Sequence, residues 1–148
     1  MATADTAKLG DAHDPKPASR SAFLEFEQDL KHLLKHERKD KAKHELPYFE
    51  PLAHLSDEDL TSFTVDDFVS VRHAEVAYGH ILFGKLRIPA MPATGPCYIH
   101  FRAFEPGPEE GKTAEIHSIH TIRAEQPDGG FAYKAVFTKD DPLEWFDT

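Results

Sequence analysis

Apolar residues recur at three- and four-residue steps early in the chain: Phe23, Phe26, Leu30, Leu33 and Leu34 form one stripe. Asp29, His32, Lys35, His36 and Lys39 fall largely on the opposite side. The pattern predicts a helix over 19–43, capped by Ser19 or Ser21 and stopped before Pro47. Acidic Glu25 and Glu27 lead and basic residues trail, as the helix dipole prefers. Residues 1–18 are small and polar with two prolines, so they are expected to form a disordered tail ahead of one domain, 19–148.

Residues 46–55 read as an aromatic connector. Ser56-Asp57-Glu58-Asp59 is a capping pattern that opens a short helix to about Ser62. Thr64-x-x-Asp67 repeats such a signal, yet Phe68-Val69-Ser70-Val71 is rich in β-formers, so 64–75 reads as a short helix running into a strand. From residue 76 the pattern is β: strands over 76–88, 97–104, 113–124 and 131–138. Gly79 and Gly84 suggest a bulge or bend in the first. Turns fall at 89–96, at Pro106 to Gly111 and at Pro127-Asp128-Gly129-Gly130. Sequential strands joined by short turns pair as neighbours. The expected fold is α+β, a long N-terminal helix packed on a curved antiparallel meander of four to five strands.

Composition narrows the function classes. The 148 residues carry 17 Lys and Arg against 26 Asp and Glu, a net charge of −9. An acidic chain repels phosphate backbones and anionic lipid, so neither nucleic acid nor a membrane surface is an expected partner. No apolar run approaches membrane-spanning length, and one cysteine, Cys97, excludes an internal disulfide. With no secretory signal, cytoplasm is the expected location. There is no phosphate-binding glycine loop, no GxSxG and no CxxC.

Ten histidines stand out. His32 and His36 have helical ligand spacing but lack the acidic residue and third histidine of a zinc-protease pattern. His117 and His120 fall on opposite faces of a strand. No metal and no cofactor is expected. The strand 97–104 places Cys97, Ile99, Phe101 and Ala103 on a core face and Tyr98, His100, Arg102 and Phe104 on the other. By parity Tyr78, His80 and Leu82 share a face on the preceding strand, and His120 shares one with Ser118, Ile116 and Ile122 on the following strand. If these faces coincide, His100 or His80 moves a proton while Tyr98 and Arg102 stabilise an anion, and Tyr78, His120 and Phe104 line a pocket for a small organic ligand. A solvent-facing sheet surface, or a homodimer interface through it, would carry the same residue types.

Tyr98-Ile-His-Phe-Arg-Ala-Phe104, the turn after it and Glu115-Ile-His-Ser-Ile-His120 resemble the second hairpin of the stefins, in the cystatin superfamily. Glu75-Val-Ala-Tyr-Gly79 sits where that family's Gln-x-Val-x-Gly hairpin loop would lie, with Gly79 alone matching, and Gly10 precedes the helix as the family's N-terminal glycine does. The resemblance spans about 60 residues and implies a helix on a curved sheet. The broad shape is also similar to the NTF2-like and SnoaL-like proteins, whose sheets enclose a pocket. Two functions follow as expectations. The first is a small-molecule pocket protein, acting as a cofactor-free isomerase, cyclase or dehydratase. The second is a cysteine-protease inhibitor inserting Gly10 and the Gly79 turn. A third alternative is a non-catalytic interaction subunit.

Overall fold

Pro17, not Ser19 or Ser21, opens the long helix. Its fixed φ suits the first helical position, and Lys16 is the extended residue before it. In this computed structural model, which describes residues 8–107 and 111–148, α1 runs Pro17–Lys43. Ser19 is instead buried inside the first turn, beside Ala22, Phe23, Phe26, Leu30 and Leu34. A 3-10 turn, Pro47–Leu52, follows, and then α2, Asp57–Leu60, with Ser56 Oγ accepting from Asp59 N at 3.0 Å. Arg38 ties this connector to α1, donating to the carbonyls of Leu52 and Leu55 and to Asp57. The second capping signal forms as read: Thr64 and Asp67 close a capping box on a 3-10 turn, Val65–Asp67, that runs directly into a strand.

The strands are β1 Phe68–Val76, β2 Gly79–Arg87, β3 Tyr98–Pro106, β4 Glu115–Ile119, β5 Ile122–Glu125 and β6 Phe131–Lys134. The first four form one antiparallel sheet in sequence order, and β5 and β6 form a separate pair. Two expected strands therefore divide. The expected strand from 76 begins inside a hairpin whose turn is Ala77–Tyr78, and Tyr78 takes φ 71° there. The expected strand 113–124 breaks after Ile119: the His120 amide makes one last bond to the His100 carbonyl, and from Ile122 the chain pairs with β6 instead. The turn expected from Pro106 to Gly111 lies partly outside the described residues.

One face of the sheet packs on α1. Phe23 and Phe26 meet Phe68 and Phe101 at ring separations of 5.3 to 6.2 Å, and Leu82, Leu86, Ile99 and Ala103 complete the layer. Each such aromatic ring contributes about 1.5–3 kcal/mol by leaving water. The second face is covered too. Phe137 bridges Tyr98, and the segment from Thr138 to Asp147 crosses the face as a strap with Leu143 buried. The N-terminal segment is not free either: Leu9 and His13 bridge Ala74 and Val71 on the edge of β1. That corrects the expected tail for residues 8–16. Its first seven residues lie outside those described.

Candidate functional site

The register decides which candidates meet. Lys85 pairs with His100, Phe83 with Arg102 and Ile81 with Phe104, and paired residues share a face. Leu82 pairs with Ala103 and His80 with Glu105, so His80 lies on the helix side, opposite His100 and Arg102. Starting the strand at 76 hid the hairpin and with it the true neighbours of His80. A bulge in β4 also resets parity. Ser118 pairs with Arg102 but Ile116 pairs with Ala103, so Ile116 leaves the face of Ser118 and joins the core. Tyr78 stands 80% exposed at the hairpin tip, away from the sheet faces. Phe104, half-buried, stacks with the bulged His117 at 6.4 Å.

His100, Arg102, Tyr98 and His120 do come together, but under the strap rather than around an open pocket. The His100 ring lies parallel to Phe137 at 3.9 Å, and His120 parallel to Phe146 at 4.2 Å. Burial, the Lys85 ammonium and His120 push the His100 pKa down to about 3, so it stays neutral. The His120 pKa is lowered first by burial, with Lys134 adding to it. Arg102 donates to the Phe146 carbonyl at 2.8 Å, and Lys85 to the carbonyls of Thr138, Lys139 and Asp141. Tyr98 is buried with the Lys85 ammonium over its ring. Both faces of the sheet are thus covered within the chain, by α1 on one side and by the strap on the other.

A different group converges in the open. Ser19 and Lys16 at the start of α1, His13 before it, His73 on β1, His80 on β2 and Glu105 on β3 line a cleft of about 310 Å³. His73 Nε2 is 3.0 Å from Ser19 Oγ and 3.6 Å from Glu105. The His13 ring stacks on His73, and His80 meets it edge-on at 5.8 Å. The His73 ring beside it holds the Glu105 carboxyl below its ordinary range, against the opposing effect of burial. This is not a nucleophilic triad: serine and carboxylate share one ring nitrogen, where a triad needs opposite nitrogens, and Ser19 is buried. Among the described residues no three His, Cys, Asp or Glu side chains converge to hold a metal ion. Of this group the sequence flagged only His80. Counting pairs outward from the Ala77–Tyr78 turn would have set Glu75 across from His80 and His73 on the same face as both.

Cys97 is buried beside Tyr98 and Phe137, outside the α1 core. A second cleft, also about 310 Å³, lies where α1 ends against Leu46, Pro47, Phe49 and Ala53, with Arg38, Lys41, Glu45 and Glu50 also lining it. Among the described residues no helix is long and apolar enough to cross a membrane. The fold defines the class: an α+β chain with one long helix on a four-stranded antiparallel sheet and a separate two-stranded pair. No protein-family model matches the chain, and no curated protein matches it either.

Proposed function

We propose that the protein binds a small organic molecule in the cleft between α1 and the β1–β2 hairpin and transfers a proton on it without a cofactor. The observation that carries this reading is the contact of His73 Nε2 with both Ser19 and an ionised Glu105 inside that cleft. A carboxylate beside an imidazole orients the ring, and histidine is a common general acid–base group. His80 at the rim supplies a second acid–base group, and Lys16 with the uncapped start of α1 makes the opening hospitable to an anion. Proton abstraction next to a carbonyl, as in an isomerase or dehydratase, fits these groups. The test is loss of the α-proton of small oxo acids in D2O, followed by proton NMR. The wild type is expected to accelerate exchange for at least one acid, and His73→Gln to cut that rate about 10²–10⁴-fold with folding intact. No exchange for any acid, with unmoved His73 and His80 ring signals, would remove this reading.

The hairpin tip favours a second reading, an interaction or inhibitor surface. Glu75-Val-Ala-Tyr-Gly79 forms the tight turn between β1 and β2, Tyr78 is exposed, and Gly10 is bonded to β1 at His73. Glu75, exposed where the stefins carry a neutral amide, opposes insertion into a protease cleft, since a buried unpaired carboxylate is costly. Titration of a papain-type protease is therefore expected to leave its activity unchanged. Tight inhibition, nanomolar or better, would put the inhibitor reading first.

A further inference from the structure

The second face of the sheet holds its cover in an unusual way. Three cations grip the terminal segments by backbone carbonyls: Arg72 holds Gly10 and Leu143, Lys85 holds Thr138, Lys139 and Asp141, and Arg102 holds Phe146. Asp147 is 3.8 Å from Arg102 but largely exposed, so the buried guanidinium has only a neutral carbonyl as a close partner. Under the strap, five buried polar atoms have no protein partner among the described residues: both ring nitrogens of His100, Arg102 Nε, Ser118 Oγ and His120 Nδ1. His100 is only 1% exposed. The five come from neighbouring positions, since Ser118 pairs with Arg102 and the His120 amide bonds to the His100 carbonyl. Native proteins leave few such groups, and five in one patch ask for a reason.

Phe146 supplies it. Its ring lies parallel to His120 at 4.2 Å while its own carbonyl accepts from Arg102. An aromatic ring joined through two carbons to an acceptor is the skeleton of 3-phenylpropanoate. A carboxylate in place of that carbonyl would bring full charge to Arg102 and a second oxygen for Ser118 or the idle Nε. Guanidinium and carboxylate form charge-assisted bonds stronger than the neutral contact seen now. We propose that this face is a binding site for an aromatic carboxylate, closed in the present structure by the chain's own Phe146 acting as the ligand's stand-in. The site is separate from the cleft at His73 and does not depend on the function assigned there.

The test uses the full chain with Phe146→Ala, which empties the ring position and removes the ring that anchors the end of the strap, so that the acid can displace the residue 146 carbonyl from Arg102. Three probes are titrated: 3-phenylpropanoate, 3-phenylpropan-1-ol and acetate. Trp145, the single tryptophan, packs on Arg102 at 5.1 Å and reports occupancy by fluorescence. Phe146→Ala is expected to bind 3-phenylpropanoate at millimolar concentration or tighter, about tenfold more tightly than the alcohol, acetate or the wild type binds it. Arg102→Gln added to Phe146→Ala should abolish the preference for the acid. Should that double variant not fold, NMR on Phe146→Ala decides: the His120 and Ser118 signals are expected to move with the acid while His73 stays still. Equal binding of acid and alcohol, binding that shifts His73 instead, or no binding by Phe146→Ala would overturn the proposal.

Discussion

Gly84 and Lys85 are neighbours on β2 that answer to opposite faces. A Cβ at Gly84 would run into the Phe101 ring and come within 2.8 Å of Phe68. Both rings are buried in the α1 core and have nowhere to move. The glycine that read as a bend is therefore a packing residue in a regular strand. Gly84→Ala is expected to destabilise by about 2 kcal/mol or more through overpacking. In this size of chain that lowers the thermal midpoint by about 4–8 °C. Gly95→Ala, where a Cβ meets nothing within 4 Å, serves as the control and should leave the midpoint in place. Equal midpoints for the two variants would contradict the packing account. Lys85, one residue on, points to the strap, and burial lowers its pKa from the ordinary ammonium value. Three carbonyls around Nζ compensate for the water it loses.

The elements divide by how local their signals are. The helix was legible because its stripe of Phe23, Phe26, Leu30 and Leu34 is internal to one segment. The capping patterns at Ser56 and Thr64 were legible for the same reason. The hydrophobic pattern did not mark the β1–β2 hairpin, because its turn, Ala77–Tyr78, places a tyrosine at positive φ where a glycine or asparagine would announce it; the stefin resemblance alone set a hairpin loop over Glu75 to Gly79. The β4 bulge at His117 carries no sequence mark at all. The grouping of His80 with His100 failed on the β2–β3 register, which pairs His80 with Glu105 and Lys85 with His100, and the bulge moved Ile116 off the face of Ser118. The N-terminal segment was misread for another reason: it is polar, but its backbone bonds to β1 do not depend on side chains. Gly10 N donates to His73, and His13 and Val71 exchange both bonds. Leu9 adds an apolar contact beside Ala74, Ile81 and Phe83. Deleting residues 1–13 is therefore expected to lower the thermal midpoint by about 5 °C or more, not to leave it unchanged. It would also expose the β1 edge to pairing with other chains. A midpoint within a degree or two of the wild type would show that these bonds add nothing.

At the scale of the whole molecule, one sheet is buried on both sides, by a helix in front and by the chain's own terminus behind. Covering the rear face confines histidines where charge is costly, and this makes stability depend on pH. His100 titrates at about 3 in the fold, with burial as the main cause and Lys85, His120 and Lys134 adding to it against the opposing pull of Asp141. In the unfolded chain it titrates near 6.5. The unfolded state thus binds the proton more tightly, so this contribution is complete above about pH 6.5 and is lost as pH falls from there towards 3. His120 and His117 are lowered as well and act in the same direction. The carboxyls of Glu105 and Asp141, also lowered, add to the loss only at more acid pH, below their unfolded values. At pH 5, one and a half units below 6.5, His100 alone accounts for about 2 kcal/mol. His100→Leu has similar size, carries no proton and leaves no unpartnered nitrogens against Phe137. Urea unfolding at pH 7.5 and pH 5 should show the wild type losing stability on acidification, and the variant losing about 2 kcal/mol less. Its stability at pH 7.5 should match or exceed the wild type, because two unsatisfied buried nitrogens have been removed. The ring signals of His100 in the wild type should stay unprotonated throughout pH 8 to 5. An unchanged pH dependence in His100→Leu, or a His100 titration near 6.5, would mean that the strap admits water and leaves the rear face open.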